Sequence, residues 1–278
     1  MLQPLVTEIN AEILKTQLES EFTGELGVMY KTECPSTNSE CMAVAPQQGE
    51  QVVVVVSEQQ TSGRGRRGKV WHSPAGKNIY CSIGLSIDIE ARYLGLISLQ
   101  TGVSIVEVLR QNGFETVYLK WPNDVICDGK KLGGILIETR VLDSGQFYLV
   151  IGFGLNVNQD MAQLDEQGKT QIDQPAISLS QIADQKLDRQ QLLLQIIPAI
   201  INAIQGLSNE TFSHLTQRFS ELDFLQGKEV CVKTMNDEQN GQYLGITETG
   251  LIRVQIGSSE EHFSAAEISL REAPNVTD

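Results

Sequence analysis

Two short turns constrain what this chain can fold into more than any other feature. Asp128-Gly129 separates "WPNDVIC" from "KKLGGILIETRVL", and Asp143-Ser144-Gly145 separates that segment from "QFYLVIGFGLNVN". Short glycine-containing turns join neighbouring antiparallel strands, whereas parallel strands need a crossover of a dozen residues or more. The sheet is therefore at least partly antiparallel, which argues against a purely parallel, doubly wound fold.

The rest of the chain fills in around these hairpins. "QVVVVVS" (51–57) is a β-branched run without helical period and reads as a buried strand; "NIYCSIGLSI" (78–87) reads as another. Residues 91–111 carry apolar side chains at close to helical spacing, and "TVYLKW" returns to strand before Pro122 holds Trp121 extended. Residues 159–175 are polar, lack a period and read as a mobile loop. Asp188 is a suitable N-cap for a helix to about Leu207, with Pro198 as a kink, and 211–223 predicts one more helix. After Gln226-Gly227 come four short strand-like segments with tight turns, the texture of a small β-barrel. These 278 residues thus divide into an α+β domain (1–222) and a small all-β domain (223–278).

Charge narrows the function. Lys and Arg number 21 against 35 Asp and Glu, a net charge of -14. A general nucleic-acid binder needs many cations to displace counterions, and an anionic membrane attracts basic segments, so neither DNA nor membrane is expected as a partner. The longest apolar run, Val52–Val56, is too short to span a bilayer, and "MLQPLVTEIN" lacks the pattern of a signal peptide. Five scattered cysteines (34, 41, 81, 127, 231) form no CxxC pair and read as reduced thiols in a cytoplasmic protein.

Against that acidic background, "TSGRGRRGK" (61–69) places Arg64, Arg66, Arg67 and Lys69 within six positions, interleaved with Gly63, Gly65 and Gly68. Glycines let backbone amides approach an anion, and guanidinium forks match phosphate oxygens. The loop alone is compatible with phosphate handling, a solvated flexible turn, or an RNA-binding patch. It is not a P-loop, because G-x-x-x-x-G-K-[ST] is absent.

Its neighbours decide. "CPSTN" (34–38) and Gln60 precede it; "WHSPAGKNIY", "KWPNDV" (120–125), "KLGGILIE" (131–138) and "GFGLNVN" (152–158) follow in that order. This set closely resembles the biotin protein ligases over about residues 25–160, and more weakly through the terminal β segment. The resemblance implies a mixed, largely antiparallel sheet flanked by helices, as in class II synthetases, with a C-terminal β-barrel. It implies a ligase using ATP, biotin and Mg²⁺, which forms biotinyl-5′-AMP and passes biotin to a lysine of a biotin carboxyl carrier protein or domain. A homodimer is compatible with it. Only about 35 residues precede Ser36, which leads us to expect the form without an N-terminal DNA-binding domain.

The residue roles carried over are as follows. Arg64, Gly65 and Arg66 meet biotin and its adenylate, and Arg64 and Arg66 are suited to offsetting the repulsion between the biotin carboxylate and the triphosphate. Lys131 reaches the carboxylate and the reacting phosphate, which makes it, with Arg66, the catalytic candidate. Ser36, Thr37, Asn38 and Gln60 offer hydrogen bonds to the ureido ring, and Trp71 walls the biotin pocket. Thr37-Asn38-Ser39-Glu40 also fits a capping box. Gly133 and Gly134 leave room for biotin, or mark a bulge. Lys120, Asn123, Asp124 and Asn156 are placed toward ATP, with Asp124 as the candidate Mg²⁺ contact; Asn123 also suits an Asx turn. The three histidines show no metal-ligand spacing. The competing readings are a lipoate- or octanoate-transferring enzyme of the same superfamily, and an RNA-binding protein using the arginine loop.

Overall fold

The computed structural model describes residues 8–22, 24–44, 52–164, 166–172, 174–208, 211–234, 237–266 and 268–272. Positions 1–7 of the stretch read for a signal peptide lie outside them. Seven strands form one mixed sheet: β1 (Leu26–Lys31), β2 (Val52–Ser57), β3 (Ile79–Ile87), β4 (Val117–Lys120), β5 (Asp124–Cys127), β6 (Lys130–Val141) and β7 (Phe147–Leu155). Their spatial order is β1-β2-β3-β7-β6-β5-β4. β1 and β2 pair in parallel, and the other five pairings are antiparallel. The two expected hairpins are β5–β6 and β6–β7. At the first, Cys127 faces Lys130, and Asp128 and Gly129 both take positive φ (50° and 70°), the geometry of a two-residue turn matched to strand twist.

The valine run shows why a strand need not alternate in polarity. Val54 and Val56 join the main core with Ile97 of α3 (Leu94–Gln111) and Ile200 of α6 (Arg189–Gln205). Val53 and Val55 point the other way, packing with Cys41, Tyr148 and Val150 on the side of α2 (Thr37–Ala43). Both faces of β2 are covered, so all its positions are apolar or buried. α1 (Ala11–Glu21) packs on α6 and β1, and α7 (Thr211–Leu222) packs on α3 and β4. Asp188 caps α6 as expected, accepting from the N–H groups of Gln190 and Gln191 at 2.9 and 3.1 Å, and the helix continues past Pro198 to Gln205. Arg189 is 1% exposed and its guanidinium donates twice to Glu58 (2.8 and 3.2 Å) and once to Asn78 O (3.0 Å), pinning α6 to the exit of β2.

The C-terminal unit holds β8 (Glu229–Lys233), β9 (Glu238–Ile246), β10 (Ile252–Ile256), β11 (Ser259–Phe263) and β12 (Ser269–Glu272), antiparallel in the order β11-β10-β9-β8-β12. The last of the four expected segments is therefore two strands, because the chain turns at Ala265-Ala266.

Three expectations need correction. The polar stretch 159–175 contains α4 (Glu166–Gln171), and Pro175 O accepts the Lys131 N–H at 2.8 Å, so the stretch lies along the start of β6. α5 (Leu179–Ala183) follows directly. Thr37 does not head a capping box: the N-cap of α2 is Ser36, without a side-chain cap bond, and Thr37 and Asn38 are buried among polar groups. Gly133 is the third: it lies outside the lining of the cleft.

Candidate active site

A cleft of about 560 Å³ opens on the α2 side of the sheet. Ser36, Thr37, Asn38, Gln60, Arg64, Gly65, Arg66, Trp71, Lys120, Asn123, Asp124, Lys131, Gly134 and Asn156 all line it. Gly133 does not: a Cβ there would lie 2.9 Å from Gly154 O and 3.2 Å from Leu155, so this glycine lets β6 close on β7. The β5–β6 register also shifts between Val125 and Ile126, opposite Lys131–Gly133, so the bulge reading of this glycine fits and the biotin-side reading does not. Gly134 faces the cleft, where its missing Cβ leaves room for the Trp71 ring at 3.2 Å.

Strand β6 gives the cleft its axis. Lys131 stands at the hairpin end, with Nζ 2.7 Å from Asp124 Oδ1 and 5.5 Å from the Trp71 ring centroid. Next, the Trp71 indole covers Gly134 and Gly154; a Cβ on Gly154 would sit 2.5 Å from Nε1. That N–H is buried and has no hydrogen-bond partner among the described residues, an arrangement suited to a site that takes a ligand. Further along, beside Leu136 and Gly152, lies a neutral polar cluster. Gln60 Oε1 accepts from the Thr37 N–H (2.9 Å) and hydroxyl (3.2 Å), and Gln60 Nε2 donates to Ser73 Oγ (3.1 Å). Ser82 Oγ lies 2.7 Å from Thr37 Oγ1 and 2.6 Å from Asn38 Oδ1.

The arginine loop closes over this axis. Trp71 N–H donates to Gly63 O (2.9 Å) and Gly65 N–H to Lys69 O (2.7 Å), forming a tight hairpin around a 3₁₀ turn at Arg66–Gly68. Arg66 donates to Asn123 Oδ1 (3.2 Å) and Ala265 O (2.8 Å). Burial, and then the charge of Arg67, push its guanidinium pKa below the ordinary value, with Asp124 opposing. Arg67 donates to Ala265 O, Ala266 O and Ile268 O at 3.2, 3.0 and 2.9 Å, so the C-terminal unit touches the loop and lends Ile268 and Leu270 to the cleft wall. Arg64 instead forms a bidentate pair with Glu138 (3.0 and 2.9 Å) and also meets Ser39 Oγ at 3.1 Å. Its charge is therefore paired with a carboxylate, unlike that of Arg66.

The ATP-side candidates are brought together with differing duties. Asn123 Nδ2 donates to Ile135 O (2.8 Å), which binds the KWPND turn to β6 and replaces the Asx turn. Lys120 and Asp124 face each other across β4–β5. Asn156 uses its amide on Lys131 O (3.4 Å) and Ile177 O (3.2 Å), supporting the strand that carries Lys131. Sequence reasoning missed Ser73, Ser82, Glu138 and the Ala265-Ala266 turn. A glutamate at alternate spacing from Gly134 and Leu136 was a signal for Glu138; "SAAE" carries none for the turn. Among the described residues no group of three or more His, Cys, Asp or Glu is arranged to hold a metal, and no helix is long and apolar enough to cross a membrane.

Comparison with known proteins gives a consistent picture. Residues 31–156 match the model of the Biotin/lipoate A/B protein ligase family, and 226–271 match the Biotin protein ligase C terminal domain. The chain is 27% identical to the bifunctional ligase/repressor BirA of Bacillus subtilis, over 91% of this chain and 76% of that protein. It is 33% identical to a biotin–[acetyl-CoA-carboxylase] ligase of Mycobacterium tuberculosis, over 58% of this chain and 60% of that one. The solved biotin protein ligase of Aquifex aeolicus in complex with biotin and ATP superposes with a TM-score of 0.73 at 26% identity, covering 89% of this chain and 99% of that chain.

Proposed function

The chain belongs to the biotin protein ligase family, and we propose that it joins biotin to a lysine of a biotin carboxyl carrier protein or domain, at the expense of ATP, through biotinyl-5′-AMP. The observation that carries this reading is the polarity of the cleft along β6. A neutral cluster of Thr37, Asn38, Gln60 and Ser82 suits a ureido ring, and cationic Lys131 and Arg66 suit a carboxylate and phosphates.

In the first step a biotin carboxylate oxygen attacks the α-phosphorus of ATP, the α–β anhydride bond breaks and pyrophosphate leaves. Two anions must meet; at about 4 Å like unit charges repel by roughly 4 kcal/mol at an effective dielectric near 20. Lys131 and Arg66 are the catalytic residues of this reading, because their cations face the place where negative charge accumulates. Trp71 and Gly134 bound the apolar middle of the ligand. Lys120, Asn123, Asp124 and Asn156 form the nucleotide side. Asp124, paired here with Lys131, is the carboxylate that would hold a phosphate-bound Mg²⁺, which would neutralise part of the phosphate charge. In the second step the acceptor lysine amine attacks the acyl carbon, AMP leaves and an amide forms with loss of a proton. All five cysteines are buried thiols, which suits a reducing cytoplasm.

The test is biotin-dependent exchange of labelled pyrophosphate into ATP, followed by transfer of label to a carrier-domain lysine. Exchange that proceeds equally without biotin, or only with lipoate, overturns the reading.

A further inference from the structure

The neutral cluster and the arginine loop are joined by one carboxylate that the two-step chemistry does not require. We propose that Glu138 is a positioning residue: it clamps Arg64, and with it the base of the 61–69 loop, to the side chains that form the ureido end of the cleft. The identity of the ligand rests on the ligase reading above; the clamp itself does not.

Strand alternation puts Gly134, Leu136 and Glu138 on one face of β6. The first two line the cleft, and Glu138 is the next residue on that face, beyond the lining. Both Glu138 oxygens receive a guanidinium N–H of Arg64, and Oε2 also accepts from Asn38 Nδ2 at 2.8 Å. Asn38 in turn offers Nδ2 to Leu136 O (3.3 Å) and Oδ1 to Ser82 Oγ. Hydrogen bonds therefore run without a break from Arg64 through Glu138, Asn38, Ser82 and Thr37 to Gln60. An isolated ion pair this exposed (44% and 29%) contributes little. This one differs in being bidentate and in sharing its carboxylate with an asparagine that is 4% exposed.

Two consequences follow from charge and donor counting. The positive charge of Arg64 is matched inside the protein, whereas the acceptors of Arg66 are an amide oxygen and a backbone carbonyl. The two arginines of the motif thus divide the work: Arg66 faces the anion, and Arg64 builds the wall. A carboxylate accepts only, so Glu138 also fixes which way the Asn38 amide points, and hence which atom it presents to a ligand.

The experiment has two arms. Amide exchange across 61–69 is measured in ligand-free wild type, Glu138→Gln, Arg64→Met and the double variant. The expected result is exchange about tenfold or more faster in each single variant and no faster in the double, because both remove one contact. Unchanged exchange in Glu138→Gln overturns the clamp. In biotin-dependent pyrophosphate exchange, Glu138→Gln should raise the KM for biotin by roughly 10- to 100-fold, the scale of a lost charge-assisted contact, while kcat and the KM for ATP stay within about twofold. A fall in kcat at unchanged biotin KM, or multiplicative effects of the two substitutions, also overturns it. A wild type that ignores biotin while its loop responds as stated defeats the ligase reading and leaves the clamp standing. An active enzyme whose loop does not respond defeats the clamp alone.

Discussion

Lys131 is held between a carboxylate and an indole face, 2.7 Å from Asp124 and 5.5 Å from the Trp71 centroid, with 19% of its side chain exposed. Removing its ammonium does more than delete a cation: Asp124 is left without that partner, facing two further anions. Lys131→Ala should therefore lower kcat for adenylate formation by about 100- to 1000-fold, the scale for losing one preorganised electrostatic contact. Biotin binding should weaken far less, because the neutral cluster is untouched. Single-turnover adenylate formation beside equilibrium biotin binding separates the two; near-normal turnover in a folded variant would show the lysine to be scaffolding. At this scale the motifs picked out residues that line one cleft, with Gly133 the exception. The sequence was not legible where a side chain acts across the sheet. Glu138 ends the "KLGGILIE" stretch, yet its partners Arg64 and Asn38 lie 74 and 100 positions away. Gly133 and Gly134 look alike as letters, and only strand direction decides which faces Gly154 O and which faces Trp71.

The arginine loop is a hairpin whose glycines are not equivalent. A Cβ on Gly63 would meet Trp71 O at 2.4 Å and Ser73 Oγ at 2.7 Å, both within the loop base that carries the bond to Gln60. At Gly65 the nearest atom is Lys69 O at 3.4 Å, and its φ of -113° suits any residue. Gly63→Ala should thus force the loop off residues 71–73 at about 1–3 kcal/mol, the usual range for overpacking, or roughly 5- to 150-fold in biotin affinity. Gly65→Ala adds no such overlap within the loop and should weaken biotin binding less than Gly63→Ala does. Isothermal titration with biotin distinguishes them, and equal affinities for the two variants would sink the packing argument. Elements with strong local signals matched expectation: the two hairpins, the valine strand and the Asp188-capped helix. Those shaped by distant partners did not. α4 sits in a stretch without helical period, joined to the lip of the cleft by Pro175 on Lys131 and Gln171 on His72 (3.1 Å). α1 went unread; its cap, Asn10, accepts from the N–H groups of Glu12 and Ile13 and its own N–H is received by Gln190 of α6.

On the scale of the whole molecule, the C-terminal strands are built into the cleft and held by a buried joint. Gly250 O accepts the Trp121 indole N–H at 3.0 Å, and the carbonyls of Ala265, Ala266 and Ile268 receive Arg66 and Arg67. Asp223, directly after α7, accepts from Tyr243 Oη of β9 at 2.6 Å and from the Leu225 N–H at 3.0 Å. Burial pushes the Asp223 carboxyl up to about 6, with those two hydrogen bonds and Lys228 pulling the other way. Burial and the neighbouring carboxylate raise the Tyr243 hydroxyl too, so it remains the donor. In the unfolded chain Asp223 titrates near the usual aspartate value of about 4. Below that value the group is protonated in both states and carries no folding penalty. Between about 4 and about 6 the unfolded chain ionises this group while burial keeps it protonated in the fold, so stability is lost as pH rises to about 6; above it the loss is constant. Asp223→Asn keeps an acceptor for Tyr243 and removes the titration. Its stability relative to wild type should therefore rise by about 2 kcal/mol on moving from about pH 4.5 to about pH 7.5. Tyr243→Phe should act in the opposite sense at neutral pH, because it strips the buried carboxylate of its shortest bond. Urea melts of the three proteins at both pH values measure this. A pH-independent difference between Asp223→Asn and wild type would show that the joint does not titrate, and would leave the docking of the C-terminal strands to Trp121, Arg66 and Arg67 alone.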